Sequence, residues 1–444
     1  MVQIQPRTAK GMRDFLPAEM LKRAYVINTI EQVFQLYGFE PLQTPILELN
    51  ETLMGKYGDE AEGLIYSVQH GRSNKREVSM RYDLTVPLAR VFAQYEHDLN
   101  VPFKRYQIAP VFRGERPQRG RFREFYQCDV DIVGVADMSA DAELISLLVT
   151  ALQRLGFDNF TVKINNRKLL TGMGQYSGVP DDQLGDLYRS VDKFDKAGAE
   201  GVQKELSERG IGDAVIERMM TLLQAKGEGL ENLEQVADVL SDYPTAVDGI
   251  DDLRQMAERM AALGIPADTY EFDFTVVRGL GYYTGPIFEA VLDGDSIGSI
   301  AGGGRYDDLI GIFRKQSMPT TGISLGIERI ITIMDEQDMY PERIGATVVE
   351  TLVTVFDDET QAESAMLAAR LRAGGVRTEL YMSDSKYKLG KQFGYADKKN
   401  IPVVAVMGPD EIAQDVVTLR RLRDGHEVTV KRGEAAQQIR DWLD

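Results

Sequence analysis

Four arginines, Arg113, Arg121, Arg278 and Arg329, stand on separate segments of the chain, each beside a turn or a strand end. A guanidinium is permanently charged and presents a planar fork of donors. Converging arginines therefore suit a triphosphate, or a phosphoryl group that gains charge during a reaction. Asp83, Gln127 and Asp131 are the polar residues to set beside them. Two carboxylates and an amide can take an ammonium and a polar ring. An anion clamp next to an amine pocket is the equipment that amino-acid activation requires.

Other chemistries find little support. The chain contains no GxSxG, no HExxH and no GxxxxGK[ST], and it offers no Cys/His pairing to serve as a nucleophile. Covalent catalysis is not expected. The run Gly302-Gly303-Gly304 lacks the strand–GxGxxG–helix context of a dinucleotide site and reads instead as a tight turn that lets backbones approach. A single cysteine, Cys128, excludes an internal disulfide and a CxxC zinc site. The three histidines, His70, His97 and His426, are scattered, and no residue is assigned to a protein-held metal.

Positive charge is densest in VFRGERPQRGRFREF, Val111 to Phe125, which holds five arginines in a chain of formal net charge −18. A solvated loop is the plain alternative. Net acidity argues against non-specific nucleic-acid binding, which ordinarily shows as a basic domain. Local patches nonetheless set the field near a ligand.

Alternation predicts the element that carries this stretch. Phe103 to Arg113 and Arg121 to Val133 form the arms of a long antiparallel hairpin around a Gly/Pro/Gln/Arg loop. In the second arm Arg121, Arg123, Phe125, Gln127, Asp129 and Asp131 share one face; Phe122, Glu124, Tyr126, Cys128, Val130 and Ile132 share the other. Arg105, Gln107 and Arg113 lie together on the first arm. If helices cover the sheet, its polar face is a site, because buried charge is costly unless something pairs with it. If they do not, that face is simply wet.

Around the hairpin, Ala18 to Tyr37 reads as a helix ended by Gly38, and FEPLQTPILE as an extended edge segment with Pro41 and Pro45. A strand about Ser79 and a helix from Val86 to Tyr95 follow. Asn166 to about Ile265 is acidic, helical in spacing and free of strand-like runs, as an inserted helical domain would be. Strands return at EFDFTVV and PIFEAVL, bracketing the glycine-flanked turn RGLGYYTG. A further glycine-rich turn then leads into a helix with Arg329 near its start. Beyond PERIGA, strands and helices alternate (LVTVF, QAESAMLAARLRAGG, TELYM, KLGKQFGYADKKN, IPVVAVMG), which predicts a small mixed or parallel sheet.

At 444 residues the chain is long enough for two to four domains. Its 43% hydrophobic and 27% charged content is that of a soluble globular protein. No run approaches the roughly 18–20 apolar residues that span a bilayer, and MVQIQPRTAKGMRDFLP has no apolar core of a signal peptide. A cytoplasmic protein without a membrane partner is expected.

KRYQIAPVFRGERPQRGRFREFYQCDVDIVG resembles motif 2 of class II aminoacyl-tRNA synthetases in its histidyl version. GMRDFLP with YGFEPLQTPILE resembles the N-terminus and motif 1, GISLGIERI is similar to motif 3, and RGLGYYTG to the histidine-specific signature. KLGKQFGYADKKNIPVVAVMGPDEI resembles the anticodon-binding domain. The resemblance covers nearly the whole chain. It implies an α/β architecture: an antiparallel-sheet catalytic domain of the class II type with α+β character, interrupted by a helical insertion and followed by an α/β anticodon-binding domain. The corresponding boundaries are 1–168 and 263–338 for the catalytic parts, 169–262 for the insertion and 345–444 for the last domain.

The same resemblance implies roles. Arg113 matches the arginine holding the α-phosphate and the substrate carboxylate, and Arg121 and Arg329 those holding the outer phosphates of a bent ATP. Phe125 matches the ring stacked on adenine. Arg278 matches the arginine that stabilises α-phosphate charge during attack. Asp83, Thr85 and Gln127 match the amino-group pocket, Asp131 and Tyr283 the imidazole readers, and Tyr306 a tyrosine lining that pocket. Arg116 and Arg119 in the loop are placed for the acceptor end of tRNA(His). Lys391 and Lys398, within a cluster that includes Lys386, Lys388 and Lys399, are placed for tRNA phosphates; a solvated lysine-rich face is the alternative. Histidine, ATP, Mg²⁺ and a homodimer through motif 1 complete the implied partners. Two departures stand out: Gly281 replaces an acidic residue of many relatives, and aspartates at 83 and 131 stand where glutamate also occurs. A catalytically inactive regulatory subunit of histidine biosynthesis shares the core fold. It lacks the last domain and loses the RGLGYYTG arginine, so Arg278 and residues 345–444 argue for the enzyme. A tRNA-binding protein without catalysis would have no reason to keep Arg113, Gln127, Asp131, Arg278 and Tyr283 together.

Overall fold

The computed structural model describes residues 4–54, 62–69, 71, 77–225, 229–277, 282–294, 297–342, 344–382 and 388–443. The chain forms two compact units, one of Met1–Asp14 with Val26–Met339 and one of Phe15–Tyr25 with Tyr340–Asp444. Arg278, Gly281 and Lys386 lie outside the described residues.

The first unit opens with β1 (Glu40–Pro41) and a small sheet of β2 (Leu47–Leu49), β3 (Ser67–Val68) and β4 (Val78–Met80). Then comes the expected hairpin, β5 (Phe103–Phe112) and β6 (Glu124–Val133), in full antiparallel register from Phe103↔Val133 to Phe112↔Glu124. Next in sequence are β7 (Phe160–Asn166), β8 (Tyr270–Phe272), β9 (Pro286–Leu292), β10 (Ala301–Arg305) and β11 (Thr320–Leu325). They complete an eight-stranded sheet in the order β1-β5-β6-β11-β10-β9-β7-β8. Its inner strands are antiparallel, and a short parallel strand, β1 or β8, stands at each edge.

The segment read as a glycine-rich turn is a strand, and a second strand, unread in the sequence, precedes the expected helix. Gly302, Gly303 and Gly304 belong to β10, and Thr320 to Leu325 to β11. Glycine is a poor strand former, so propensity pointed the wrong way. Packing decides here: a methyl group at Gly303 would overlap the Gly322 carbonyl oxygen and come within 2.7 Å of the Ile323 Cα. Only bare backbones can lie this close.

One face of the sheet is covered. The helix Ser139–Arg154 buries Leu144, Leu147, Leu148 and Leu152, and packs against β6 and β11. Arg167–Ser177 begins where β7 ends, with the Asn166 side chain accepting from the Lys168 amide at 2.9 Å as its cap. From there to Ala262 the described residues hold helices and no strand. The last of them, Pro244–Ala262, returns to pack on Arg167–Ser177, Ser139–Arg154 and β7.

The second unit carries β12 (Thr351–Val353), β13 (Thr378–Leu380), β14 (Val403–Val406), β15 (Val416–Arg421) and β16 (Glu427–Lys431), in the order β13-β12-β14-β15-β16. The first three are parallel, as alternation with helices predicts, and β15 and β16 extend the sheet as an antiparallel hairpin. That hairpin went unread in the sequence, although VVTLRR and EVTVK alternate around Asp424-Gly425. Val403, Ala405, Val417 and Leu419 meet Leu367, Leu371 and Ile439 in its core.

Candidate active site

The open face of the large sheet floors a cavity of about 990 Å³. Its walls bring together Thr85, Arg113, Arg121, Phe125, Gln127, Asp131, Tyr283, Tyr306 and Arg329 from five separate stretches of sequence. Asp83 is not on the wall; its Oδ1 accepts from the Val86 amide at 3.1 Å, in the first turn of the helix Thr85–Gln94. Thr85 starts that helix and lines the cavity.

Arg113 continues β5, and its amide donates to the Arg123 carbonyl at 2.9 Å. Its guanidinium donates to the Tyr82 carbonyl at 3.0 Å and lies 4.5 Å from the Tyr82 ring centre and 5.2 Å from that of Phe125. Phe125 is the only partly buried member of a cluster with Leu84, Ala109 and Val111. A half-open ring on an apolar base is a stacking platform. Arg121 closes a tight turn with Gln118 and approaches Glu115 at 3.3 Å. Arg329, in the first turn of the helix Ile327–Glu336, donates to the Ser299 carbonyl, and Gly120 of the loop lies against its side chain.

The arginine loop is tethered by contacts that charge counting missed. Arg123 donates to the Glu115 carbonyl at 3.0 Å, and its amide holds the Gly11 carbonyl at 2.9 Å. Arg13 lies 3.6 Å from the Phe122 ring centre and pairs with buried Glu328, which also accepts from the Tyr126 amide at 3.3 Å. Gly11 and Arg13 thus brace the loop. Arg119 is taken by Glu336, with Nε to Oε1 at 3.1 Å, while Arg116 is exposed; neither lines the cavity.

Carboxylates gather farther along β6, where Asp129 and Asp131 are buried. Asp131 faces the Arg105 guanidinium at 2.7 Å and accepts from the Tyr306 hydroxyl. Burial raises both the Asp131 carboxyl and, strongly, the Tyr306 hydroxyl. Tyr282, Tyr283 and Tyr306 form a cluster with ring centres 4.5–6.4 Å apart. Gly322 stands opposite Asp131 on β11, where any Cβ would overlap the carboxylate. Two residues along β6, Asp129 also lines the cavity. Burial and the neighbouring Asp131 raise its carboxyl to about 7 against the pull of Arg105. Sequence reasoning placed Asp129 on the polar face and gave it no role; strand period was the signal available. Lys163 and Glu289, paired across β7 and β9, line the far wall and were likewise missed.

In the second unit, Lys391 and Lys398 are exposed on the helix Leu389–Lys398, two turns apart on one side. Lys399 differs: it is engaged by Glu379 and Tyr395. Among the described residues no cluster of three or more His, Cys, Asp or Glu could hold a metal, and no helix is long and apolar enough to cross a membrane.

Comparison with known proteins places these features. A family model described as histidyl-tRNA synthetase matches residues 11–330, and one described as an anticodon-binding domain matches 346–442. The histidine–tRNA ligase of Phocaeicola vulgatus is 39% identical, over 97% of this chain and 98% of its own. That of Clostridium tetani is 38% identical over 99% of both. The crystal structure of histidyl-tRNA synthetase from Nostoc sp. PCC 7120 superposes with a TM-score of 0.87 at 30% identity, covering 99% of this chain and 100% of that one. A Bacillus halodurans structure described as an ATP phosphoribosyltransferase regulatory subunit/histidyl-tRNA synthetase shares the fold, with a TM-score of 0.74 at 21% identity over 88% of this chain and 97% of its own. With its antiparallel floor, arginine-rich mouth and separate C-terminal unit, the chain belongs to the histidyl-tRNA synthetase family.

Proposed function

We propose that the cavity of the first unit activates histidine with ATP, and that the enzyme transfers the activated histidine to the 3′ end of tRNA(His). The observation that carries this reading is the composition of one pocket, which joins three arginines and a half-open phenyl ring to buried carboxylates and a tyrosine cluster. Full-length likeness to histidine–tRNA ligases supports it.

In this reading Phe125 stacks on adenine, and Arg113, Arg121 and Arg329 hold the phosphates in a bent conformation. Gln127 and Thr85 take the ammonium, Asp83 orients Thr85, and Asp131, Tyr283 and Tyr306 read the imidazole. The substrate carboxylate is already a nucleophile at neutral pH, so no general base is required. The work of the chain is alignment and stabilisation of charge on the α-phosphate, by Arg113 and by Arg278. Pyrophosphate leaves; the terminal adenosine hydroxyl of tRNA then displaces AMP. A site built to hydrogen-bond both ring nitrogens leaves buried groups unpaired around a wrong side chain, which makes it selective.

Mg²⁺ fits this donor set as a companion of the phosphates: such an ion needs only one or two protein carboxylates, and buried Glu289 on the wall would supply one. When bound, it shares the charge of the leaving pyrophosphate. Residues 1–168 and 263–338 serve as the catalytic body, 169–262 as its insertion and 345–444 as the anticodon-binding domain. Arg116, Arg119, Lys391 and Lys398 serve tRNA, and Arg119 must exchange Glu336 for phosphate to do so. A cytoplasmic homodimer through motif 1 completes the assignment; sedimentation at the monomer mass would contradict it. Histidine-dependent ATP–pyrophosphate exchange, assayed against all twenty amino acids, tests the central proposal. Exchange with histidine alone is the expected result, and its absence would refute the reading.

A further inference from the structure

Asp129 is 3% exposed, lines the cavity, and has a buried Oδ1 without a hydrogen-bond partner. Gln127, two residues earlier on the same face of β6, has a buried Oε1 in the same condition. The Ser324 hydroxyl serves the Asp129 carboxylate, but two acceptor oxygens one strand period apart, Asp129 Oδ1 and Gln127 Oε1, still lack a donor and define a place for a group that brings several N–H bonds at once. Charge points the same way. Asp129 is faced by Asp131 on its own strand, by Asp83 at the start of the helix Thr85–Gln94, by Arg105 from β5 and by Ser324 from β11. Arg81 also feels it, although the Arg81 guanidinium is spent on the Pro110 carbonyl at 2.8 Å and the Thr44 carbonyl at 2.9 Å. Asp131 and Asp83 both raise the cost of charge on Asp129 against the pull of Arg105, so a cation arriving beside these carboxylates meets concentrated negative charge.

We propose that Asp129 supplies the missing specificity contact: its carboxylate receives the α-ammonium of the amino-acid substrate together with Gln127, and it ionises as that cation binds. This rests on the reading of the cavity as a histidine site, and it makes substrate binding proton-linked. In the empty pocket the carboxyl titrates at about 7, so near neutral pH an appreciable fraction of molecules hold a proton there. Arrival of the ammonium favours the charged form and expels the proton to solvent. An imidazole contact is already available from Asp131 and the tyrosines, which is why Asp129 is assigned to the amino end.

The test compares two ligands on the full-length protein and on its Asp129→Asn variant by titration calorimetry. Histidine has the ammonium; 3-(imidazol-4-yl)propanoate keeps ring and carboxylate without it. The variant should lose about tenfold to a hundredfold in histidine affinity, the worth of one charge-assisted hydrogen bond, with propanoate affinity unchanged. At pH 7 the wild type should release more protons on binding histidine than the variant does, as read in two buffers of different ionisation enthalpy. The ring's own titration is common to both proteins and cancels. Equal loss for both ligands would overturn the proposal and make Asp129 a support for Arg105. Unchanged histidine affinity would overturn it too. A wild type that binds no histidine would instead sink the functional reading beneath it.

Discussion

A buried carboxylate is a burden to the empty protein, and Asp129 shows how large and in which direction. Its carboxyl is raised from 3.8 to about 7 by burial, with Asp131 adding to the shift. Between those two values the folded chain binds a proton that the unfolded chain has released, so this residue makes stability fall as pH rises from about 4 to about 7. Above 7 the cost is complete. Asp129→Asn should therefore raise the melting temperature at pH 8, and the difference should shrink toward pH 5; a constant difference would show that charge is not its cause. In the proposed function Arg278 acts in the transition state. Arg278→Ala should lower adenylate formation by about a hundredfold or more, with a small change in histidine Kd. Equal losses in rate and binding would assign Arg278 to ground-state contacts instead.

At the scale of elements, the sheet earns its shape from glycine where strands normally carry branched side chains. Gly303 lets β10 and β11 close up, and Gly322 leaves the space into which Asp131 leans from β6 toward Tyr306. Gly322→Ala should push Asp131 off the Tyr306 hydroxyl. Overpacking of this kind costs about 1–3 kcal/mol, measurable by denaturant titration. In pyrophosphate exchange, KM for histidine should rise while KM for ATP stays, because a Cβ at Gly322 meets Asp131 and the Tyr306 hydroxyl first. Loss of both together would mean that the whole floor had shifted.

At the scale of the molecule, a formal charge of −18 has to coexist with a polyanionic partner. The positive groups are accordingly local. Several are already taken by carboxylates, as Arg119 by Glu336 and Lys399 by Glu379, while Lys391 and Lys398 stand exposed on one helix. Removing a phosphate contact flattens the dependence of log affinity on log salt by about 0.7–0.9. Lys391→Ala with Lys398→Ala should thus weaken tRNA(His) binding and reduce that slope by up to twice this amount. Pyrophosphate exchange, which needs no tRNA, should be unaffected. An unchanged slope would return both lysines to the role of a solvated face.

Strand period and residue chemistry were enough, without coordinates, to place Arg113, Arg121, Phe125, Gln127 and Asp131 on one hairpin, and four ordered motifs were enough to place the chain in its family. Local information sufficed because alternation is a property of a single strand and a motif a property of a single segment. Other features were settled only by distant neighbours. Gly302 to Gly304 became a strand because β11 lies against it, contrary to propensity. Asp83 turned out to accept from a first-turn helix amide, Arg123 and Arg13 to brace the loop, and Asp129 to feel Arg105, Asp131 and Asp83. Burial and net local charge are sums over residues far apart in sequence. No reading of one segment at a time could have shown that Asp129 is buried beside Asp131 and Arg105.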